Sequence, residues 1–260
     1  MNTVKIDSKQ NPKIKYVSRL IKDSAFRKSE GKLVVENEVM LKEAISCGMA
    51  FDSIFICETA LKKKPSLREE YSDFCSNIFV VADEVMSRIS DLETPQGVTA
   101  VMFGENLPKC EIKENGRYIL LERVGDPGNV GTVIRTADAF GIDGVILTDG
   151  SADPYSPKVM RSTMGGIFRV PLLKCSLSNA LERLKECNVS ILAAILDREA
   201  KELKSLGELN SFAVMIGNEA KGLTDEAVLL ADEKVFIGMT GKAESLNAAV
   251  AASIFMYTLS

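Results

Sequence analysis

The sequence contains no histidine in its 260 residues. This absence excludes the Ser-His-Asp and Cys-His catalytic arrangements, the zinc-binding H-E-x-x-H helix and the commonest general base. Any chemistry must therefore use arginine, lysine, carboxylates, hydroxyls or a bound cofactor.

Long apolar runs and paired cysteines are missing as well. No run approaches the roughly 20 residues that a membrane span requires, and the amino-terminal stretch MNTVKIDSKQNPK has no apolar segment of the kind found in secretory signals. The six cysteines form no C-x-x-C pair and no zinc-ligand spacing. We therefore predict a cytoplasmic protein with reduced thiols, no membrane contact and no metal site.

Charge is distributed unevenly along the chain. The formal net charge is −4, yet residues 1–35 hold nine Lys and Arg against three Asp and Glu, a local charge of +6. This basic arm suggests a polyanionic partner such as RNA. A solvated amphipathic helix would account for the same feature equally well.

Strand and helix patterns alternate in the first half, which predicts an α/β layered fold. A helix begins at Asn11, and the elements that follow are strand 33–35, helix 39–45, strand 53–56, helix 66–74, strand 78–81, helix 83–89 and strand 98–103. The polar stretch after residue 104 has the composition of an inter-domain linker. We predict a small domain over residues 1–104, a linker over 105–116 and a second domain over 117–260.

The second domain shows runs of Val, Ile and Leu with little alternation, as in a parallel sheet covered on both faces. Strands are expected at 117–123, 144–148, 168–172, 189–195, 212–217 and 234–237. Helices are expected at 127–140, 156–163, 176–187, 224–231 and 246–258.

A glycine-rich turn joins the first of these strands to its helix, in the sequence ERVGDPGNVGTVIR from Glu122 to Arg135. Asp126 suits a helix cap and Pro127 the first helical turn, so part of the motif is simply a good helix start. Its G-x-x-G-x-x-G spacing differs from the dinucleotide-binding G-x-G-x-x-G. On this turn alone local structure is favoured, and a phosphate-binding loop remains the alternative.

Two later blocks have a similar character. Met215–Leu223 reads MIGNEAKGL, and taken alone it is a tight loop with a surface glutamate. Val235–Asn247 reads VFIGMTGKAESLN, in which Ser245 could be a simple helix cap or part of a nucleoside site.

Taken together, the three blocks resemble the motifs of the SpoU (TrmH) family of S-adenosylmethionine-dependent RNA ribose 2′-O-methyltransferases, in the SPOUT class. The matching segments are N-x-G-x-x-x-R at Asn129–Arg135, G-N-E-x-x-G-L at Gly217–Leu223 and S-L-N-x-x-V-A at Ser245–Ala251. The resemblance covers residues 117–260, and residues 1–104 look like the ribosomal-protein-like RNA-binding domain that many rRNA-directed members carry.

The resemblance implies a knotted (trefoil) parallel-sheet methyltransferase domain, S-adenosylmethionine as cofactor and a homodimer that binds RNA. The residues that map onto catalysis and site assembly are Arg135, Asn129, Glu219, Ser245 and Asn247. Those that map onto cofactor contacts are Ala193, Ala194, Gly217, Ile237, Met239 and Leu246.

The expected activity is methylation of a ribose 2′-hydroxyl, with 23S rRNA favoured over tRNA because of the extra amino-terminal domain. Family mechanisms describe Arg135 as the base, but an arginine stays protonated in nearly any protein setting. We therefore expect Arg135 to stabilise charge on the 2′-oxygen. The alternatives are a tRNA methyltransferase, a dinucleotide-binding enzyme and a non-catalytic ribosome-associated RNA-binding protein.

Overall fold

A computed structural model describes residues 4–197 and 199–260, and they form two compact units. The first unit contains the chain up to Leu107 together with 155–168, and the second contains 108–154 and 169–260. The expected linker is divided between them, since 105–107 belongs to the first unit and 108–116 to the second. In the second unit Cys110 and Ile112 are buried, so this part of the linker is packed.

The first unit is built on a five-stranded mixed sheet in the order β1-β4-β3-β5-β2. β1, β4 and β3 are parallel, whereas β5 runs antiparallel to both β3 and β2. The strands are β1 (Val4–Ile6), β2 (Lys32–Glu36), β3 (Phe51–Cys57), β4 (Ile78–Val81) and β5 (Val98–Phe103). The helices are α1 (Pro12–Lys22), α2 (Ser24–Glu30), α3 (Glu38–Ser46), α4 (Glu58–Lys63), α5 (Leu67–Ser72), α6 (Asp83–Met86) and α8 (Pro157–Ser162).

The basic amino-terminal arm is part of this folded unit. α1 begins at Pro12 because the Asn11 side chain accepts the Lys13 N–H and a proline suits the first helical position. Its apolar face, including Ile14 and Leu20, is fully buried against the sheet, and each such side chain contributes roughly 1.5–3 kcal/mol. The Arg27 guanidinium is also buried. It donates to the carbonyls of Leu20 at 2.6 Å and Ile21 at 2.9 Å.

Residues 155–168 join the first unit through a buried ion pair. Glu36 is only 3% exposed, and its carboxylate accepts the Ser90 hydroxyl at 2.7 Å and the Asp91 N–H at 3.0 Å. Arg161 of α8 lies 3.5 Å from the same carboxylate and also binds Asp91 at 2.9 Å. The Arg161 charge therefore compensates a carboxylate that is removed from water.

The second unit contains a seven-stranded sheet in the order β10-β12-β9-β11-β6-β7-β8, in which every recorded pair is parallel. The strands are β6 (Arg117–Leu121), β7 (Gly144–Leu147), β8 (Leu172–Lys174), β9 (Ser190–Ala194), β10 (Lys201–Glu202), β11 (Phe212–Ile216) and β12 (Glu233–Phe236). The helices are α7 (Pro127–Ala139), α9 (Leu177–Glu186), α10 (Asp225–Leu230) and α11 (Ala248–Leu259). Every residue of β7 and β11 is buried, which confirms the expected parallel sheet with both faces covered.

Most predicted elements are present, and one strand prediction is wrong. Residues 168–172 were expected to form a strand, but Gly166–Phe168 is a 3-10 helix and β8 begins at Leu172. Pro171 accounts for the shift, because it lacks an N–H and the ladder starts only after it. The elements that the sequence did not predict are short: β1, α2, α4, β10 and a 3-10 helix at Leu203–Ser205. None of the helices in the described ranges is long and apolar enough to cross a membrane.

Candidate active site

Four neighbouring strands of the second unit end at one edge of the sheet. β12, β9, β11 and β6 are adjacent and parallel, so their carboxyl ends face the same way. The segments that leave these ends include all three sequence blocks. After β6 the chain continues to β7 and β8 on one side, whereas β9 lies on the other side of β11. Ligands of open parallel sheets bind at such reversals of strand order.

The Glu219 carboxylate ties the second block to the first. It accepts the Asn129 side-chain amide at 2.8 Å, the Asp126 N–H at 3.1 Å and the Gly125 N–H at 3.3 Å. These donors lie at the start of α7, where free backbone N–H groups favour a negative charge. The carboxylate thus occupies the place that a phosphate would take in a phosphate-binding loop. The glycine-rich turn therefore binds a side chain of the protein itself.

Asn129 extends this network to the third block. Its side-chain oxygen accepts the Asn247 amide at 2.9 Å, while the Asn247 oxygen caps α11 by accepting the N–H groups of Ala249 and Val250. Asn129 is 8% exposed and Glu219 is an exposed residue, so the network runs from a buried amide to the protein surface. The sequence allowed Ser245 as a helix cap, but the cap is Asn247 and α11 begins two residues later than expected.

The hydrogen bonds keep Glu219 ionised. Burial by itself would raise the pKa of this carboxyl, but the donated bonds from Asn129, Asp126 and Gly125 outweigh it, and the pKa is lowered. The ionised carboxylate is the form that these three donors favour.

Close packing of the 217–223 loop requires a glycine at its start. A Cβ on Gly217 would lie 2.2 Å from the backbone of Gly222 and Leu223. After the loop, Thr224 is held by Glu122, a residue 2% exposed, which accepts its N–H at 2.9 Å and its hydroxyl at 2.6 Å. The loop is therefore fixed at both ends against the strand β6 and its turn.

A cavity of about 500 Å³ lies at these strand ends. Apolar side chains such as Ile216, Ile237, Leu246 and Phe255 form much of its lining, and Glu219 contributes a charged edge. Its size is within the usual range of about 300–1,000 Å³ for small-molecule sites. The mixture of apolar walls and loop backbone suits a ligand with a flat heterocycle and polar substituents.

The cavity brings together most of the residues that the sequence assigned to the cofactor and the site edge. Ala194, Gly217, Ile237, Met239, Leu246, Glu219 and Ser245 all line it. Ala193 does not, because it is fully buried within β9. Asn129 and Asn247 lie in the hydrogen-bond network, outside the lining.

Arg135 is placed apart from this network. It lies on an exposed part of α7 and forms no hydrogen bond or ion pair with any residue that the structure describes. The next residue, Thr136, faces α11, where its hydroxyl lies 3.3 Å from that of Ser253. The Arg135 guanidinium is therefore available to a ligand.

Several lining residues were missed by the sequence reasoning. Ile195, Leu196 and Phe236 also line the cavity, and each follows or ends a strand that the sequence did predict. The ends of those strands were a usable signal, since parallel strands place their ligands there. Ala251 and Phe255 gave no comparable signal, because they belong to a helix that is apolar on most sides.

Comparison with known proteins agrees with this geometry. The sequence profile of the SpoU rRNA Methylase family matches residues 116–257, and that of the MRM3-like substrate binding domain matches 11–100. The chain is 32% identical over 257 residues to the 23S rRNA (guanosine(2553)-2′-O)-methyltransferase RlmP of Bacillus subtilis, covering 98% of each protein. It is 32% identical over 187 residues to the 23S rRNA (uridine(2479)-2′-O)-methyltransferase of Streptomyces viridochromogenes, covering 69% of this chain and 65% of that protein.

A solved structure is similar along nearly the whole chain. The AdoMet-bound rRNA methyltransferase from Sinorhizobium meliloti has a TM-score of 0.86 and 26% sequence identity, covering 99% of this chain and 97% of that one. The order of the three blocks, their joining through Asn129 and these similarities lead to one conclusion. The chain belongs to the SpoU rRNA methylase family.

Proposed function

We propose that this protein transfers a methyl group from S-adenosylmethionine to a ribose 2′-hydroxyl of RNA, with 23S rRNA as the substrate. The observation that carries the proposal is the network in which Asn129 joins Glu219 to Asn247 beside the cavity. It holds the three family motifs in one arrangement, at the edge of the sheet where a ligand is expected.

The cavity fits the methyl donor by size and chemistry. Ile237, Leu246 and Phe255 would pack against the adenine ring, and the backbone near Gly217 and Met239 would hold the polar groups. When bound, the donor supplies an electrophilic methyl group, so the protein has to position the acceptor oxygen and exclude competing water. The close approach at Gly217 supports this assignment, because any side chain there would displace the loop.

Arg135 is proposed to act on the acceptor. An arginine remains protonated, so it stabilises the charge that develops on the 2′-oxygen while an RNA phosphate or solvent takes the proton. Its exposure and its lack of partners among the described residues support this role. The lowered pKa of Glu219 keeps a negative charge in the network that fixes Asn129, on the same helix.

The choice of rRNA rests on the first unit. Residues 11–100 match a substrate-binding domain, and two relatives are named for 23S rRNA. We therefore propose that residues 1–104 recognise rRNA, that residues 117–260 carry the reaction, and that the protein works in the cytoplasm.

We also propose a homodimer joined through α7 and α11. Val250 is 46% exposed and Tyr257 73% exposed on α11, and Tyr257 contacts the Phe140 ring beside α7. Such apolar exposure is typical of an interaction surface. A trefoil knot in the second unit is proposed on the family likeness, supported by the loops 217–223 and 237–247 that meet at one cavity.

Gene deletion tests the proposal. We expect loss of a 2′-O-methyl group at one position of 23S rRNA, with the tRNA ribose methylation pattern unchanged. Restoration by the wild-type gene but not by a gene carrying Arg135→Ala would assign the loss to this site. An unchanged 23S rRNA pattern combined with a lost tRNA mark would instead support the tRNA alternative.

A further inference from the structure

A second cavity, of about 290 Å³, lies in the first unit. Its lining consists of Lys9, Gln10, Lys15, Ser87 and Arg88. Three of these five side chains carry a positive charge and none carries a negative one. A concave surface with this composition attracts anions.

The three cations have no internal partner. Lys9, Lys15 and Arg88 are exposed, and none forms an ion pair or side-chain hydrogen bond with a residue in the described ranges. Glu84 precedes Arg88 by four residues without pairing with it, and Asp91 is engaged by Arg161 at 2.9 Å.

Three other lysines of the same unit are neutralised by close carboxylates. Lys5 binds Asp7 and Glu58, Lys32 binds Asp52, and Lys64 binds Glu38 and Glu70, all at 2.7–3.0 Å. The local charge of +6 in residues 1–35 is thus not spread evenly over the surface. Two of the positive charges that have no carboxylate partner, those of Lys9 and Lys15, lie at this cavity.

The start of α1 adds to the positive potential. Lys9 and Gln10 directly precede the capping residue Asn11, and Lys15 lies in the first turns of this 11-residue helix. The first turn contains no acidic residue, so nothing in it offsets the partial positive charge of the helix end. Helix ends of this kind bind phosphate groups when cationic side chains surround them.

The side chains of the lining suit a phosphate group better than a nucleobase. It has no aromatic or aliphatic side chain on which a nucleobase could stack, whereas single-stranded bases are usually held by such contacts. The charged groups can instead contact backbone phosphates, which carry no sequence information but fix the orientation of the nucleic acid.

We propose that the cavity formed by Lys9, Gln10, Lys15, Ser87 and Arg88 binds backbone phosphate of the RNA substrate and anchors it on the first unit. This inference rests on the proposed function, since it takes large-subunit rRNA as the ligand. It assigns the anchoring to one cavity, with Lys9, Lys15 and Arg88 as the binding residues.

The test measures the affinity of the full-length protein for a large-subunit rRNA transcript as a function of salt. Lys9→Gln, Lys15→Gln and Arg88→Gln are compared singly with wild type. Each is expected to weaken binding roughly five- to eightfold at about 0.1 M salt, and to reduce the slope of log affinity against log salt by about 0.7–0.9. The matched control is Lys28→Gln, which removes an exposed charge outside the cavity and should leave affinity and slope near wild type.

Two further readouts separate binding from folding. Thermal unfolding and S-adenosylmethionine affinity should not change in the variants, because the substituted side chains are exposed and unpaired. In the wild-type protein, bound RNA should protect Lys9 and Lys15 from acetylation more strongly than Lys28.

The outcomes separate this inference from the proposed function. If wild type methylates rRNA but the cavity variants bind it as tightly as wild type, or if Lys28→Gln weakens binding equally, the anchoring role is wrong and the enzyme assignment stands. If wild type neither binds nor methylates the transcript, both are overturned.

Discussion

Replacing Asn129 by aspartate tests the network at its centre with almost no change of shape. The substitution puts a carboxylate where an amide now donates to Glu219 across 2.8 Å. Two unit charges at that distance repel by about 6 kcal/mol at an effective dielectric constant of about 20. The pair can avoid this cost by taking up one proton. Proton uptake costs about 1.4 kcal/mol for each pH unit above the ordinary carboxyl pKa, or about 4 kcal/mol at about pH 7.

Proton uptake costs less than charge repulsion, so proton uptake determines how much the variant is destabilised. Because Glu219 is an exposed residue, solvent screening reduces the loss further, and we expect Asn129→Asp to lower the free energy of unfolding by about 3 kcal/mol at about pH 7. At about pH 5 the loss should fall to about 1 kcal/mol, since a shared proton is then nearly free and restores a hydrogen bond.

The free energy of unfolding depends on pH in opposite directions in wild type and in Asn129→Asp. In wild type the Glu219 pKa is lowered, so its stabilisation is present above the ordinary glutamate value and is lost as pH falls through the folded value. In Asn129→Asp one pKa of the pair is raised, so the deficit grows as pH rises from about 5 to about 7.

Urea unfolding across this pH range measures the effect. Asn129→Ala is the control, because it removes both side-chain bonds and adds no charge. Its deficit should therefore be constant over this range. A deficit for Asn129→Asp that is below about 1 kcal/mol and independent of pH would refute the arrangement in which the Asn129 amide faces Glu219.

Three further substitutions test the loop glycine, the buried ion pair and the exposed arginine. Gly217→Ala should destabilise the protein by about 1–3 kcal/mol, because its Cβ would meet loop backbone at 2.2 Å. It should also abolish S-adenosylmethionine binding, which calorimetry measures. Arg161→Met should cost about 3 kcal/mol in chemical denaturation, since the buried Glu36 then lacks its cation. Arg135→Lys should lower kcat roughly 100-fold in a methyl-transfer assay, with donor affinity and stability unchanged, because lysine lacks the planar guanidinium.

Matched controls define what would contradict these expectations. Gly207→Ala meets no atom within 4 Å, so a loss equal to that of Gly217→Ala would show that the close approach is unimportant. Arg19→Met breaks a 3.4 Å exposed pair with Asp23, worth about 0–1 kcal/mol, and a contact of its guanidinium with the Phe26 ring at 4.0 Å, worth about 0.5–1 kcal/mol. An effect of Arg161→Met no larger than this would exclude a contribution from the buried pair with Glu36. Near-normal turnover by Arg135→Lys would exclude a role for the guanidinium geometry.

The secondary structure of the second unit was readable from its sequence because buried parallel strands are continuous apolar runs. β11 and β7 were predicted within one residue for this reason. Strand order was not readable, since β11 lies between β6 and β9 through pairings of residues that are distant in sequence. The return of 155–168 to the first unit was equally hidden, because the Arg161–Glu36 contact depends on the folded positions of both residues and produces no change of composition.

The sequence indicated residues that the structure brings together at the candidate site, but it could not indicate the contacts between them. The three blocks stand out in the sequence as loops at strand ends, a family resemblance links them, and Asn129, Glu219 and Asn247 lie among them. The hydrogen bonds that join these three residues are visible only in the folded structure. Sequence spacing could not indicate that the amides of Gly125 and Asp126 donate to Glu219, or that Asn247 caps α11 in place of Ser245. The sequence also could not distinguish two neighbouring residues at the end of β9, where Ala193 is buried within the strand while Ala194 lines the cavity.

Methylation of a ribose 2′-hydroxyl of large-subunit rRNA can be measured directly with the purified protein. The most direct measurement incubates the purified protein with unmodified 23S rRNA and S-adenosylmethionine carrying an isotopically labelled methyl group, and then identifies the labelled nucleosides by mass spectrometry. We expect a single labelled 2′-O-methylnucleoside with the wild-type protein, and none with Arg135→Ala. Label in a methylated base, or no label in RNA while the protein binds the donor, would contradict this expectation.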